Sequence, residues 1–135
     1  SDADDELVES FLIYLQDEKL DFTNSFRALG DLLRGNEDKF VQNDRFKKFK
    51  SRWLSRVSEK DIEKFTQELN LVNPYLIPRN HLIEEAIIQV NDNKYELFYE
   101  LGEALKNPFQ DNKDFAKFSA PPKESEVVKM TFCGT

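Results

Sequence analysis

Polar and apolar positions follow a helical period over most of the chain. After an acidic run at residues 2–6, Leu7, Val8, Phe11, Leu12 and Leu15 recur at spacings of three and four, which predicts a helix over about 4–19. The acidic residues at its start suit the positive end of the helix dipole. Asp21 or Thr23 is placed to cap a second helix with Phe26, Leu29, Leu32 and Leu33 on one face, and Gly35 is its C-terminal stop. Residues 36–43 are polar and read as a loop. A basic helix follows over 44–57, with Phe46, Phe49, Trp53 and Val57 on one face and Lys47, Lys48, Lys50, Arg52 and Arg56 on the others. Ser58, with Asp61 three residues on, has the form of a capping box with Asp in place of Glu. It would open a fourth helix carrying Ile62, Phe65 and Leu69.

The stretch NPYLIPRNHLIEEAIIQV then breaks the pattern. Asn73 precedes Pro74, and Ile77 precedes Pro78, so both are pushed out of the α region. Arg79 and Asn80 open a fifth helix with Leu82, Ile83, Ala86, Ile87 and Val90 on its apolar face. Asn91-Asp92-Asn93 reads as a turn, and Asn93 with Glu96 as the cap of a sixth helix bearing Leu97, Phe98, Leu101 and Leu105. Asn107-Pro108 stops it. Beyond lies a polar stretch with Phe109, Phe115 and Phe118 as anchors and Pro121-Pro122 as a stiff step. Residues 126–132, EVVKMTF, look like a short strand with no partner, expected to lie extended on the helices. The pattern as a whole predicts an all-α fold, a compact bundle of about six helices. It divides into a helical domain at 1–106 and an extended tail at 107–135 ending in Cys-Gly-Thr.

Composition narrows the function classes. A chain of 135 residues suits one domain, and 12 Phe predict an aromatic-rich core. The net charge of −7 argues against nucleic acid as a partner, which needs a basic footprint. No apolar run is long enough for a membrane span, and no leader pattern opens the chain. One Cys and one His can build neither an internal disulfide nor a tetrahedral zinc site. With four Gly there is no phosphate-cradling loop and no nucleophile-elbow motif, so no cofactor site is expected within the chain.

Several residues could still carry chemistry. The basic helix 44–57 could meet phosphate or an acidic partner, or be a solvated face partly neutralised by the acidic N-terminus. His81 could be an acid–base group, but it has no second His, and packing or capping is the simpler role. Glu84-Glu85 and Glu96, Glu100 and Glu103 could pair as carboxylates, yet soluble helices carry such residues routinely. Arg79, at the head of a helix after a Pro-bounded turn, suits holding that turn through its fixed donors. Arg27, among apolar neighbours, suits the same kind of role. Cys133 is a thiol near the terminus with nothing nearby to lower its pKa.

Read in order, several pieces resemble the C-terminal region of the selenoprotein O family, known as YdiU in bacteria. They are Asp21-Phe22-Thr23 with Phe26-Arg27-Ala28-Leu29, Trp53-Leu54, Asn73-Pro74 with Arg79-Asn80, and the helix holding Leu82 and Glu85-Ala86-Ile87. The run from Leu101 to Leu105 into Asn107-Pro108-Phe109, then Ala120-Pro121-Pro122 and the terminal Cys133-Gly134-Thr135, complete the match. The family usually ends Cys-Ser-Ser, so this chain keeps the sulfur and changes its neighbours.

The resemblance implies the last part of a longer kinase-fold protein adenylyltransferase, a parent that moves AMP from ATP to protein hydroxyl groups. ATP and Mg²⁺ would be held by the kinase-like core, none of which is in this chain. On this reading the chain has no catalytic residue, supports that core as its partner, and carries the family's redox group on Cys133. Protein substrates of the parent would be further partners. Asn73, Pro74, Arg79, Asn80 and Arg27 would be structural. The expected location is the bacterial cytoplasm, or the mitochondrion in a eukaryote. The alternative is a stand-alone helical interaction module that docks an acidic partner through helix 44–57.

Overall fold

The computed structural model describes residues 2–58 and 61–127. Among them are six α-helices and two short 3₁₀ segments, with no strand, so the fold class is all-α. The packing divides at the Asn73-Pro74 break into two units, residues 1–73 and 74–135.

The first unit holds four helices: α1 (Asp2–Asp17), α2 (Phe22–Leu33), α3 (Asp44–Val57) and α4 (Ile62–Val72). Helix α1 packs with α3, and α2 with α4. Much of the predicted apolar faces meets in one core of Leu7, Phe11, Leu15, Leu29, Leu32, Phe46 and Phe49, joined by Tyr14, whereas Val8, Leu12 and Ile62 of the same faces are exposed. Rings dominate it. Phe11 stacks on Phe49 at 4.5 Å between centroids and meets Phe26 edge-on at 5.2 Å. Such pairs add about 0.5–1.5 kcal/mol each beyond the area they bury. Phe40, in the stretch read as a polar loop, is also buried and stacks on Phe46 at 5.1 Å.

Close approach of α2 and α4 depends on Gly30. A Cβ built there would lie 2.9 Å from Thr66 Cγ2, so only a hydrogen fits between the helices.

Helix ends differ in part from the expectation. Helix α1 runs over Asp2–Asp17, not 4–19. It ends because Lys19 turns left-handed at φ 54°, letting the N–H of Leu20 donate to Leu15 and that of Lys19 to Gln16. Of the two candidate caps of α2, Asp21 does the work, accepting from the Asn24 N–H. Gly35 stops α2 in the same left-handed way, at φ 87°. Ser58 and Asp61 do not form one box. Ser58 closes α3, donating to the Ser55 carbonyl, and Asp61 alone caps α4 through the Lys64 N–H.

Tyr14 illustrates how the core tolerates a polar atom. It is fully buried. Its hydroxyl donates to the Val41 carbonyl at 2.9 Å and accepts from the Val41 N–H at 2.7 Å, tying α1 to the loop before α3. Burial pushes the phenol above its ordinary value of 10.0, the bond to Val41 opposes this, and Glu18 adds to it. A raised folded-state pKa gives stability that is fully present below the unfolded value and fades as pH rises through the folded value. Tyr14→Phe should therefore cost about 1–3 kcal/mol at neutral pH, since Val41 loses both partners. In urea titrations the gap between variant and parent should close as pH rises above about 10. A gap that stays constant into strong alkali would refute this account.

The second unit is built from the turn 74–79, α5 (Asn80–Asn91), α6 (Glu96–Leu105) and the 3₁₀ segments Lys113–Ser119 and Glu124–Glu126. Its core is Leu76, Leu101, Ala104 and Phe118, with Leu82, Leu97, Leu105 and Phe115 packed around it. Phe115 and Phe118 thus anchor the stretch after α6, whereas Phe109 is 44% exposed. Asn93 is not the cap of α6. It ends α5 at φ 59°, with the N–H of Asn93 bonded to Val90 and that of Lys94 to Gln89. Helix α6 starts from Tyr95 with no side-chain cap. Of the strand-like run 126–132, Glu126 closes the 3₁₀ turn Glu124–Glu126, Val127 follows in extended conformation, and residues 128–132 lie outside the described residues.

Candidate functional site

The basic face of α3 is largely engaged within the first unit. Arg56 forms a two-pronged bond to Asp4, at 2.6 and 3.2 Å, which raises its pKa. Arg52 lies 3.8 Å from Glu6, Arg45 pairs with Asp17, and Lys50 pairs with Glu37. Asp17, Glu6 and Asp4 of α1 therefore sit beside Arg45, Arg52 and Arg56, which are seven and four positions apart on α3. Exposed pairs of this kind are screened by solvent and add little to stability. Their main effect here is to cancel the cationic face. Lys47 and Lys48 are exposed and make no ion pair among the described residues.

Arg27 lies on α2, and its Nη1 reaches the end of α4, donating to the carbonyls of Asn70 at 2.8 Å and Asn73 at 2.6 Å. The last carbonyls of a helix have no partner within it, and a guanidinium supplies one. Pro74 begins the second unit. The N–H groups of Tyr75 and Leu76 both donate to the Pro108 carbonyl, at 2.8 and 3.0 Å, which fixes the 74–78 turn against the end of α6. Arg79 is buried, occupies the N-cap position of α5, and donates through Nη2 to the Ser119 carbonyl at 3.0 Å. Asn80 is the first residue of α5.

Three of the carboxylates named as candidates have partners other than one another. Glu100 pairs with Lys117, Glu103 with Lys106, and Glu85 accepts from Gln89. His81 is half-buried at the start of α5. Among the described residues no three His, Cys, Asp or Glu side chains are placed to hold a metal ion. Cys133 lies outside the described residues. No described helix is long and apolar enough to cross a membrane.

One feature escaped the periodicity. Positions read as inward on α5 and α6 line an open groove of about 550 Å³. Ile87 is 56% exposed, Phe98 55% and Tyr99 66%, while Ala86 and Leu101 are buried beneath them. Ile87 and Ile88 are adjacent, as are Phe98 and Tyr99, so each helix is apolar on more than one side. That doubling was the available signal, because a helix apolar beyond one stripe needs cover on more than one face.

These features define an all-α region in which Arg27 and Arg79 clamp the ends of helical segments and most cations of α3 are held in ion pairs. A family model described as "Protein adenylyltransferase SelO" matches residues 1–106, and the chain belongs to that family. It is similar to the protein nucleotidyltransferase YdiU of Ruegeria sp. (strain TM1040), with 40% identity over 100% of this chain and 28% of that protein. The YdiU of Clostridium perfringens (strain SM101 / Type A) is 36% identical over 98% of this chain and 27% of its own length. That of Nitrobacter winogradskyi is 37% identical over 99% and 28%. The chain thus spans little more than a quarter of the curated relatives it matches.

Proposed function

We propose that this chain is the non-catalytic, helical C-terminal part of a protein adenylyltransferase. The whole enzyme transfers AMP from ATP to hydroxyl side chains of proteins, and this part supports its kinase-like core. The observation that carries the reading is the match of nearly the whole chain to only 27–29% of each nucleotidyltransferase. The donor set supports the division of labour: the described carboxylates do not gather for Mg²⁺, and most cations of α3 are paired internally. No catalytic step is assigned to the described residues in this reading.

Cys133 is the regulatory group in this reading. Its thiol and a second cysteine thiol of the longer polypeptide lose two electrons and two protons to an oxidant such as a peroxide, forming a disulfide. The bacterial cytoplasm, where such a bond would be transient, is the proposed location. The alternative docking role of α3 has less support, because Asp4, Glu6 and Asp17 already answer its cations.

The test uses ATP labelled at the α-phosphate, Mg²⁺ and a mixture of acceptor proteins. The full-length polypeptide bearing this region should transfer label, and the 135-residue chain should neither transfer it nor bind ATP–Mg²⁺ in a titration. Tight binding by the chain alone, or no transfer by the full-length polypeptide, would sink the proposal. In the full-length form, Cys133→Ser should remove most of the change in activity that peroxide causes. An unchanged response would remove the regulatory role.

A further inference from the structure

The groove between α5 and α6 is an apolar surface that the described residues of the second unit leave open. Its rim is Ile83 and Ile87 on one side and Phe98 and Tyr99 on the other, over Leu101 and Gly102. Large rings and branched chains standing in water beside one another are unfavourable unless something covers them.

Gly102 is the second observation. It lies inside α6, where glycine is the least favourable residue after proline. A Cβ placed there would meet nothing within 4 Å among the described residues, whose packing therefore does not require a glycine at this position. Gly30 is the contrast, because there the neighbouring helix fills the space. A bare backbone on the floor of an apolar groove lets an occupant approach closely. The dimensions and the lining suit the apolar face of a helix.

The occupant is indicated by length. The relatives extend over more than three times the chain they share with this one, so most of the folded protein is not in these residues. The groove falls wholly within residues 83–106, inside the family-matched 1–106. We propose that the α5–α6 groove is the docking face for the remainder of the same polypeptide, which lays an apolar helix over Gly102 between Ile87 and Phe98. This deepens the reading above and rests on the chain being part of a longer enzyme.

The test measures solvent access at the groove floor. Gly102→Cys is made in a Cys133→Ser background, in the 135-residue chain and in the full-length polypeptide. Maleimide labelling of the peptide containing position 102 is followed by mass spectrometry, with helicity checked by circular dichroism. Labelling should be fast in the 135-residue chain and at least tenfold slower in the full-length polypeptide. Equal, fast labelling in both would overturn the proposal and leave the groove to a separate protein. Slow labelling in the 135-residue chain would also overturn it, pointing to a second copy if the rate depends on concentration and to cover by the chain itself if it does not. Because the bulk at position 102 could itself block docking, Tyr99→Cys on the rim is labelled in parallel, and protection at either position supports the proposal. AMP transfer by the unmodified full-length polypeptide is scored separately. Transfer without protection rejects the docking face alone, and protection without transfer rejects the enzymatic reading alone.

Discussion

Phe11→Ala should destabilise the first unit by about 3–5 kcal/mol, the range for truncating a buried ring. Phe11 is almost wholly buried, and its ring meets those of Tyr14, Phe26, Phe40 and Phe49. These neighbours come from α1, α2, the loop before α3, and α3 itself, so no single side chain can move in to fill the space. The transfer term and the cavity term therefore add. Urea denaturation followed by helical circular dichroism should show the loss as a lower midpoint for the transition of residues 2–73. A change below about 1 kcal/mol would mean that the surrounding rings collapse into the gap and that the core is less rigid than its stacking implies.

Arg27→Met should cost about 1.5–3 kcal/mol, the worth of hydrogen bonds made by a charged donor. The substitution keeps most of the stem and removes the donors that reach the Asn70 and Asn73 carbonyls. These are the carbonyls that α4 cannot satisfy itself, because its pattern stops at Pro74. Arg27→Lys should recover less than half of the loss, since an ammonium on a flexible stem lacks the fixed geometry of a guanidinium. The check is chemical denaturation of the three proteins side by side. Full recovery by Lys would reduce Arg27 to a point charge near a helix end.

The helices were legible because their apolar residues recur at three and four: Phe46, Phe49, Trp53 and Val57 mark α3 without any tertiary information. What lay outside that signal were contacts at long separation. Arg27 reaches 43 and 46 residues along the chain, and Tyr14 reaches 27. Neither distance leaves a local trace. Phe40 and Val41 are two adjacent apolar residues in a polar stretch, so periodicity had nothing to repeat. Lys19 adopts a left-handed turn with no residue preference to announce it, whereas Gly35 adopts the same turn and was read correctly. Asn93 was given the wrong job because Asn favours both helix caps and left-handed turns.

The candidate site was legible in a different way. The family came from ordered short motifs, and of the clamp residues Arg79 was legible from its position beside a break and Arg27 from its apolar neighbours. The open groove was missed because periodicity identifies apolar residues without saying which will be covered. Phe98 and Leu101 belong to the same predicted face, yet Leu101 is buried and Phe98 is not.

Trp53 is the chain's one tryptophan. It sits in the first unit against Phe49 and Phe65, 6.3 and 5.8 Å between ring centroids. Three of the four tyrosines, Tyr75, Tyr95 and Tyr99, belong to the second unit. The chain therefore carries its own two-colour optical labelling: excitation at the red edge of the indole band reports the aromatic core around Phe11, and phenol absorbance reports chiefly the groove-bearing half.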